Sequence, residues 1–225
     1  MKKNKKIIGL SGVAGVGKDL FYSLLSEKLP CLRFSLADNL KTEVQRWCFE
    51  HYGIDPINCS REEKELIRPF LVFHGTHKRR MSTGRHWIEK LQQDIGSIST
   101  DKYLVITDIR YDDYEKDEVF WLKNELKGNL IHISQYKEIP DYAEGALLRE
   151  YREPVNSEEE RNEPKLKEAA DLVIEWPRVK GSQEKVEEEL FPFIEKTINW
   201  ITRHGETKAT DRSRIDSRYQ GKQFI

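Results

Sequence analysis

The sequence predicts an α/β protein of three layers, a mostly parallel five-stranded sheet covered by helices on both faces. Three observations predict it. Short apolar runs such as "IIGL" and "LVIT" alternate with stretches whose apolar residues recur at helical spacing. Strands joined through such helical stretches form crossovers, which set neighbouring strands parallel and bury both sheet faces. The third observation is "GVAGVGKD", residues 12–19, which falls where the first strand gives way to the first helix.

Taken in order, "KKIIGLSG" is a buried strand rich in β-branched residues that stops at Gly12. "KDLFYSLLSEKL" follows as a helix with Leu20, Phe21, Leu24, Leu25 and Leu29 at helical spacings. "CLRFSLAD" is a second strand, with Asp38 or Asn39 as cap for the helix "LKTEVQRWCFEHYG", which ends at Gly53. Ser60 and Glu63 have the spacing of a capping box. Two helices are expected from "KELIRPFLVFHGTHKRRM" and "GRHWIEKLQQDIGSI", with a boundary or kink at Pro69. "KYLVITDIRY" is the clearest buried strand; "YEKDEVFWLKNEL" suits a helix and "NLIHIS" a strand.

From Gln135 to Lys165 the chain is polar and interrupted by Pro140, Pro154 and Pro164, as a mobile lid would be. "LKEAADLVIEW" reads as helix into a last strand, and "SQEKVEEELFPFIEKTINWI" as a long helix interrupted at Pro192. After Ile201 periodicity is lost, so residues 203–225 are expected to be a basic, disordered tail. One domain results, 1–202, with a helical acceptor-binding insertion at about 54–98 and the lid at about 135–165.

Charge adds little direction. The 225 residues carry 38 Lys and Arg against 39 Asp and Glu, a formal charge of −1, with 37% hydrophobic residues. This is the balance of a globular chain with no overall pull toward nucleic acid or membrane. Cys31, Cys48 and Cys59 are odd in number and lack C-x-x-C spacing, so a reducing, cytoplasmic setting is expected. "IIGL" is too short for a signal-peptide core or a membrane span.

Chemistry concentrates at the loop. Glycines let backbone N–H groups turn inward and approach phosphate oxygens, the following helix adds its positive end, and a lysine adds a point charge. Gly12, Val13, Ala14, Gly15, Val16, Gly17, Lys18, Asp19 and Leu20 are thus the candidate nucleotide-binding residues, and the P-loop NTPase fold is the expected frame. Asp19 replaces the usual Ser or Thr. It reads either as a Mg²⁺ ligand or as a negative charge favoured at a helix N-terminus.

Asp108 and Arg110, two residues apart at the end of a strand, share a face. Asp108 could bind Mg²⁺ or a substrate hydroxyl, or could cap a helix or pair with Arg110. His77–Arg80, Arg85 and Trp87 could clamp an acceptor phosphate and base, or be a solvated helix face and a core indole. Arg149, Arg152 and Arg161 in the lid could stabilise a transferring phosphoryl group.

The stretches "SGVAGVGKD", "FSLADNLK", "FHGTHKRRMSTGRHWIEKL" and "VITDIRYDDYEKD" together resemble the phage-type deoxynucleoside monophosphate kinases, which are P-loop kinases with an adenylate-kinase-like fold. In that family the loop commonly ends G-K-D. The resemblance implies transfer of the γ-phosphoryl group of ATP to a deoxynucleoside monophosphate, with Mg²⁺. Together with the residue readings above, Lys18, Asp108, Arg149 and Arg152 are the catalytic candidates, and Asp19 and Asp108 the candidate metal ligands. Asp38, Lys41, Arg80, Trp87, Asp108 and Arg110 would surround the acceptor. The partners are then small-molecule nucleotides rather than nucleic acid or membrane, and a homodimer is compatible with the family. Two alternatives stay open: a kinase of another small metabolite, such as a dephospho-coenzyme-A-like one, and a non-catalytic nucleotide-binding regulator.

Overall fold

A computed structural model describes residues 5–140, 147–210 and 223–224. Its centre is a mixed sheet of seven strands. Five are parallel, in the order β2 (Cys31–Phe34), β3 (Tyr103–Ile106), β1 (Lys6–Ser11), β4 (Asn129–Pro140) and β6 (Leu172–Pro177). Two additions exceed the expected five: β5 (Leu147–Tyr151) pairs antiparallel with β4, and the two-residue β7 (Gln223–Phe224) lies parallel to β6.

Alternation along the strands builds two cores. Ile8, Leu10, Ile131, Ile133 and Ile174 face helices α1 (Lys18–Lys28) and α7 (Gln183–Thr210), where they meet Phe21, Leu24, Leu190 and Ile194. Ile7, Leu104, Ile106, Leu130 and Val173 point the other way. They pack on α4 (Arg85–Ser97), α6 (Ser157–Ala169) and the residues Trp121 and Leu122. A third cluster, Val44, Cys48, Ile54, Ile67 and Leu71, joins α2 (Leu36–Tyr52) to α3 (Arg61–Met81).

Local signals set several boundaries. Gly53 ends α2 at φ 67°, in the left-handed region, and the Ser60–Glu63 capping box opens α3. Other expectations need correction. Pro69, Pro164 and Pro192 lie inside α3, α6 and α7 without ending them. Each removes one N–H, but the neighbouring turns are anchored by buried residues: Ile67 and Leu71, Leu166, and Leu190 and Ile194. The helix expected after Asp117 is only α5 (Glu118–Phe120), which widens into a π-type turn, Trp121–Glu125, that buries Trp121 and Leu122.

The stretch expected as a lid, 135–165, consists largely of regular elements. β4 runs on to Pro140, β5 returns beside it and α6 follows; residues 141–146 lie outside the described residues. α7 extends past Ile201 to Thr210. Of the expected tail, 211–222 lie outside the described residues. No helix among the described residues is long and apolar enough to cross a membrane.

Candidate active site

The loop Gly12–Gly17 joins the buried end of β1 to α1. Gly12, Gly15 and Gly17 have φ values of 129°, 79° and 95°, which side chains with a Cβ rarely adopt. Space restricts them as well: a Cβ on Gly12 would sit 2.2 Å from the Ile133 carbonyl oxygen, and one on Gly17 2.8 Å from the Trp176 ring. Val13 and Val16 turn their side chains into the core, so they can offer only backbone. Trp176 Nε1 donates to the Val16 carbonyl at 2.9 Å and props the loop from below.

Lys18 Nζ folds back onto the loop, donating to the carbonyls of Gly12 (2.5 Å) and Val13 (3.0 Å). Burial, followed by the positive charge of Arg110, brings its pKa down to about 8. The loop is roofed by the segment that leads into α6. Arg152 Nε donates to the Ala14 carbonyl at 2.6 Å, its guanidinium covers Gly15, and Glu159 Oε2 accepts from Ala14 N–H at 3.2 Å.

Beside the loop, at the carboxyl ends of β2 and β3, opens a cavity of about 350 Å³. Lys18, Asp19, Asp38, Lys41, Trp87, Asp108 and Arg110 all line it, together with Arg33, Arg68, Arg79, Tyr111 and Glu118. Leu40, Leu71 and Val72 give it an apolar flank. Ligands of parallel α/β sheets characteristically sit at this end of the strands.

The wall of the cavity is organised by carboxylates. Asp108 is buried and accepts from Leu36 N–H (2.8 Å), Ala37 N–H (2.9 Å) and Ser35 Oγ (2.8 Å). It therefore caps α2 from another strand, the task that sequence assigned to Asp38 or Asn39, and both its oxygens are engaged. Asp38 instead receives Arg33 Nη1 at 2.6 Å and lies 3.6 Å from Lys41. Arg33 also lies 3.8 Å from Asp19, whose carboxylate is otherwise exposed.

Arg80, Arg149, Arg152, Leu20 and the loop residues Gly12–Gly17 do not line the cavity, whereas Trp87 does. Arg80 points away from the cavity and lies 3.8 Å from Glu158; its neighbour Arg79, one position round the helix, faces inward instead. Trp87 is a core residue whose Nε1 donates to Gly75 O at 3.1 Å, leaving part of the indole on the cavity wall. Arg149 stacks on Tyr136, 4.3 Å from the ring centre, rather than on the loop. Leu20 lies outside the cavity, partly exposed. Arg161, for its part, pairs with Asp113 at 2.8 Å.

Sequence reading missed Tyr111, Asp117 and Glu118, and within His77–Arg80 it singled out Arg80 rather than Arg79. Arg79 hydrogen-bonds to the fully buried Asp117 and lies over Tyr111, 3.9 Å from the ring centre. Asp117 Oδ2 also accepts from the Asp113 and Tyr114 N–H groups. Glu118 Oε2 accepts from Arg110 N–H at 2.6 Å and Tyr111 N–H at 3.1 Å; its pKa is raised to about 8 by burial and then by Asp117. The acidic run "YDDYEKDE" was the available signal, since a loop held together by its own carboxylates needs such a run.

Chemically, the site sets a glycine loop and a helix N-terminus beside several cations along a partly apolar pocket, which suits an anion carrying a flat apolar group. No protein-family model matches the chain, and no curated protein matches its sequence significantly.

Proposed function

We propose that the chain is an ATP-dependent kinase on a P-loop NTPase fold, transferring the γ-phosphoryl group of ATP to a deoxynucleoside monophosphate. One observation carries the reading. Lys18 and Arg110 meet at the cavity close enough for Arg110 to disfavour the lysine's charge, and among the described residues neither has a carboxylate within ion-pair distance. Glu159, Asp108 and Glu163 act on the lysine only from beyond ion-pair contact, so the two cations on one cavity wall are a seat for an anion, and a phosphoryl group between them would relieve their repulsion.

The residues divide the work by position. Backbone N–H groups of Gly12–Gly17 and Lys18 would hold the donor phosphates, and Arg152, already on the loop, would cover them. Arg33, Lys41 and Arg110 would meet the acceptor phosphate, with Leu40, Leu71 and Val72 beside its nucleoside. Asp19 is exposed at the first turn of α1 and free to turn toward a metal, whereas the engaged oxygens of Asp108 suit it to holding α2. Mg²⁺ at Asp19 would supply charge neutralisation for the phosphates. Catalysis then rests on positioning two anions side by side and on electrostatic support of the transfer.

The test is a coupled assay of ADP formation with ATP, Mg²⁺ and each deoxynucleoside and ribonucleoside monophosphate in turn. ADP formation is expected to depend on the acceptor and to fall about 10²–10³-fold in Lys18→Ala. ADP formation indifferent to every nucleotide acceptor would overturn the reading.

A further inference from the structure

The loop is held by another part of the same chain. Both backbone groups of Ala14 are taken by the segment that leads from β5 into α6: Glu159 Oε2 accepts its N–H at 3.2 Å, and Arg152 Nε donates to its carbonyl at 2.6 Å. These partners come from 145 and 138 positions further along the sequence. One is an anion and the other a cation, so they act on an incoming phosphate in opposite ways. Arg152, whose guanidinium covers Gly15, attracts it; Glu159, seated on a backbone N–H of the loop, repels it.

Glu159 also has a local task that does not need the loop. It lies in the first turn of α6 behind the cap residue Asn156, whose side chain accepts Glu159 N–H at 2.9 Å. The same Oε2 accepts from Val155 N–H at 3.2 Å, so the helix start and the loop share one oxygen. Released from Ala14, the carboxylate keeps Val155 as a partner. Its charge reaches further into the loop: of the carboxylates that favour the charged form of Lys18, Glu159 is foremost, ahead of Asp108 and Glu163. Glu159 thus accepts from a loop N–H and supports a buried ammonium, the two services that a bound phosphate would perform.

We propose that Glu159 is an autoinhibitory stand-in for phosphate: its carboxylate holds the empty loop through Ala14, and a nucleoside triphosphate binds by displacing it, with Arg152 left over the phosphates. This rests on the reading of the loop as a nucleotide site. Displacement frees the first turn of α6 from the loop, so nucleotide occupancy and the attachment of α6 to the loop are linked. A neutral amide at position 159 removes the like charge and weakens the competing hydrogen bond, while keeping an oxygen for Val155.

Calorimetric titration of the full chain with the β,γ-methylene analogue of ATP and Mg²⁺ reads the competition as affinity, with no transfer following. Glu159→Gln is expected to bind about 10-fold more tightly than the intact chain, the scale of one hydrogen bond to a charged group. Glu160→Gln makes the same charge change one position on, at an exposed side chain, and should stay within about two-fold of the intact chain. A residue that only capped α6 would give a different result, a less stable chain with unchanged or weaker binding. Unchanged or weaker binding by Glu159→Gln, or equal tightening in both variants, overturns the proposal and leaves the nucleotide site standing. Binding by neither the intact chain nor Glu159→Gln overturns the nucleotide reading and this inference with it. If Glu159→Gln does not fold, Glu159→Asp decides: it keeps a negative charge in the first turn of α6, where such charge is favourable, but is one methylene shorter and withdraws from Ala14. It binds more tightly than the intact chain, or the proposal fails.

Discussion

The loop and the wall facing it are built on opposite plans. The loop is made of backbone: three glycines in left-handed conformations, two valines sunk in the core and an indole N–H beneath. The wall is made of side chains that hold one another, Asp108 on the α2 N-terminus, Asp38 on Arg33, and Asp117 on Arg79. A backbone site depends on conformations few residues can adopt, and so it marks its own sequence. A side-chain site depends on partners distant in the chain, and its sequence looks like ordinary surface charge.

The largest effect is expected where the wall is most buried. Asp117→Ala removes the hydrogen-bonded partner of the Arg79 guanidinium, only 8% exposed, and leaves it Asp113 alone at 3.7 Å. Unfolding in urea should show a loss of about 3–5 kcal/mol, the usual result of removing one member of a buried pair. If the two regions are as separate as their construction implies, the folded fraction of this variant still binds ATP while its affinity for the acceptor falls.

The reciprocal change sharpens the comparison. Gly12→Ala forces an alanine to φ 129° with its Cβ against the Ile133 carbonyl. A loss of about 2 kcal/mol or more is expected from the backbone alone, and ATP binding should be lost with the loop geometry. An alanine variant with normal ATP affinity would show that the loop is not held by its backbone.

The third effect is read as a slope in pH. Glu118 has its pKa raised from 4.5 to about 8 by burial and Asp117. A carboxyl raised in the folded state favours folding fully below its unfolded pKa, and that contribution fades as pH rises through the folded value. Stability measured between pH 4.5 and 8 should therefore decline in the intact chain, and more shallowly in Glu118→Gln.

The same contrast explains what sequence could deliver. The central parallel strands, the loop, the Gly53 stop and the Ser60–Glu63 cap were legible, because each follows from local periodicity or from conformations that few residues permit. The hairpin of β4 and β5 was not. Beyond Ser134 the strand leaves the core and loses apolar alternation, so polar residues and prolines looked like irregular chain. At "KRR" no local rule chooses between Arg79 and Arg80; the choice is made by Asp117, 38 positions away. Asp108 was picked out by its place at a strand end, yet its attachment to Ser35, Leu36 and Ala37 required the fold.

The indole under the loop has one more consequence. Trp176 donates to Val16, touches Phe21 edge-on and would meet any atom added at Gly17, so its surroundings change whenever the loop does. Trp176 is therefore an optical gauge of residues 12–17 that needs no attached dye, once the signal of the other four tryptophans is removed by substitution.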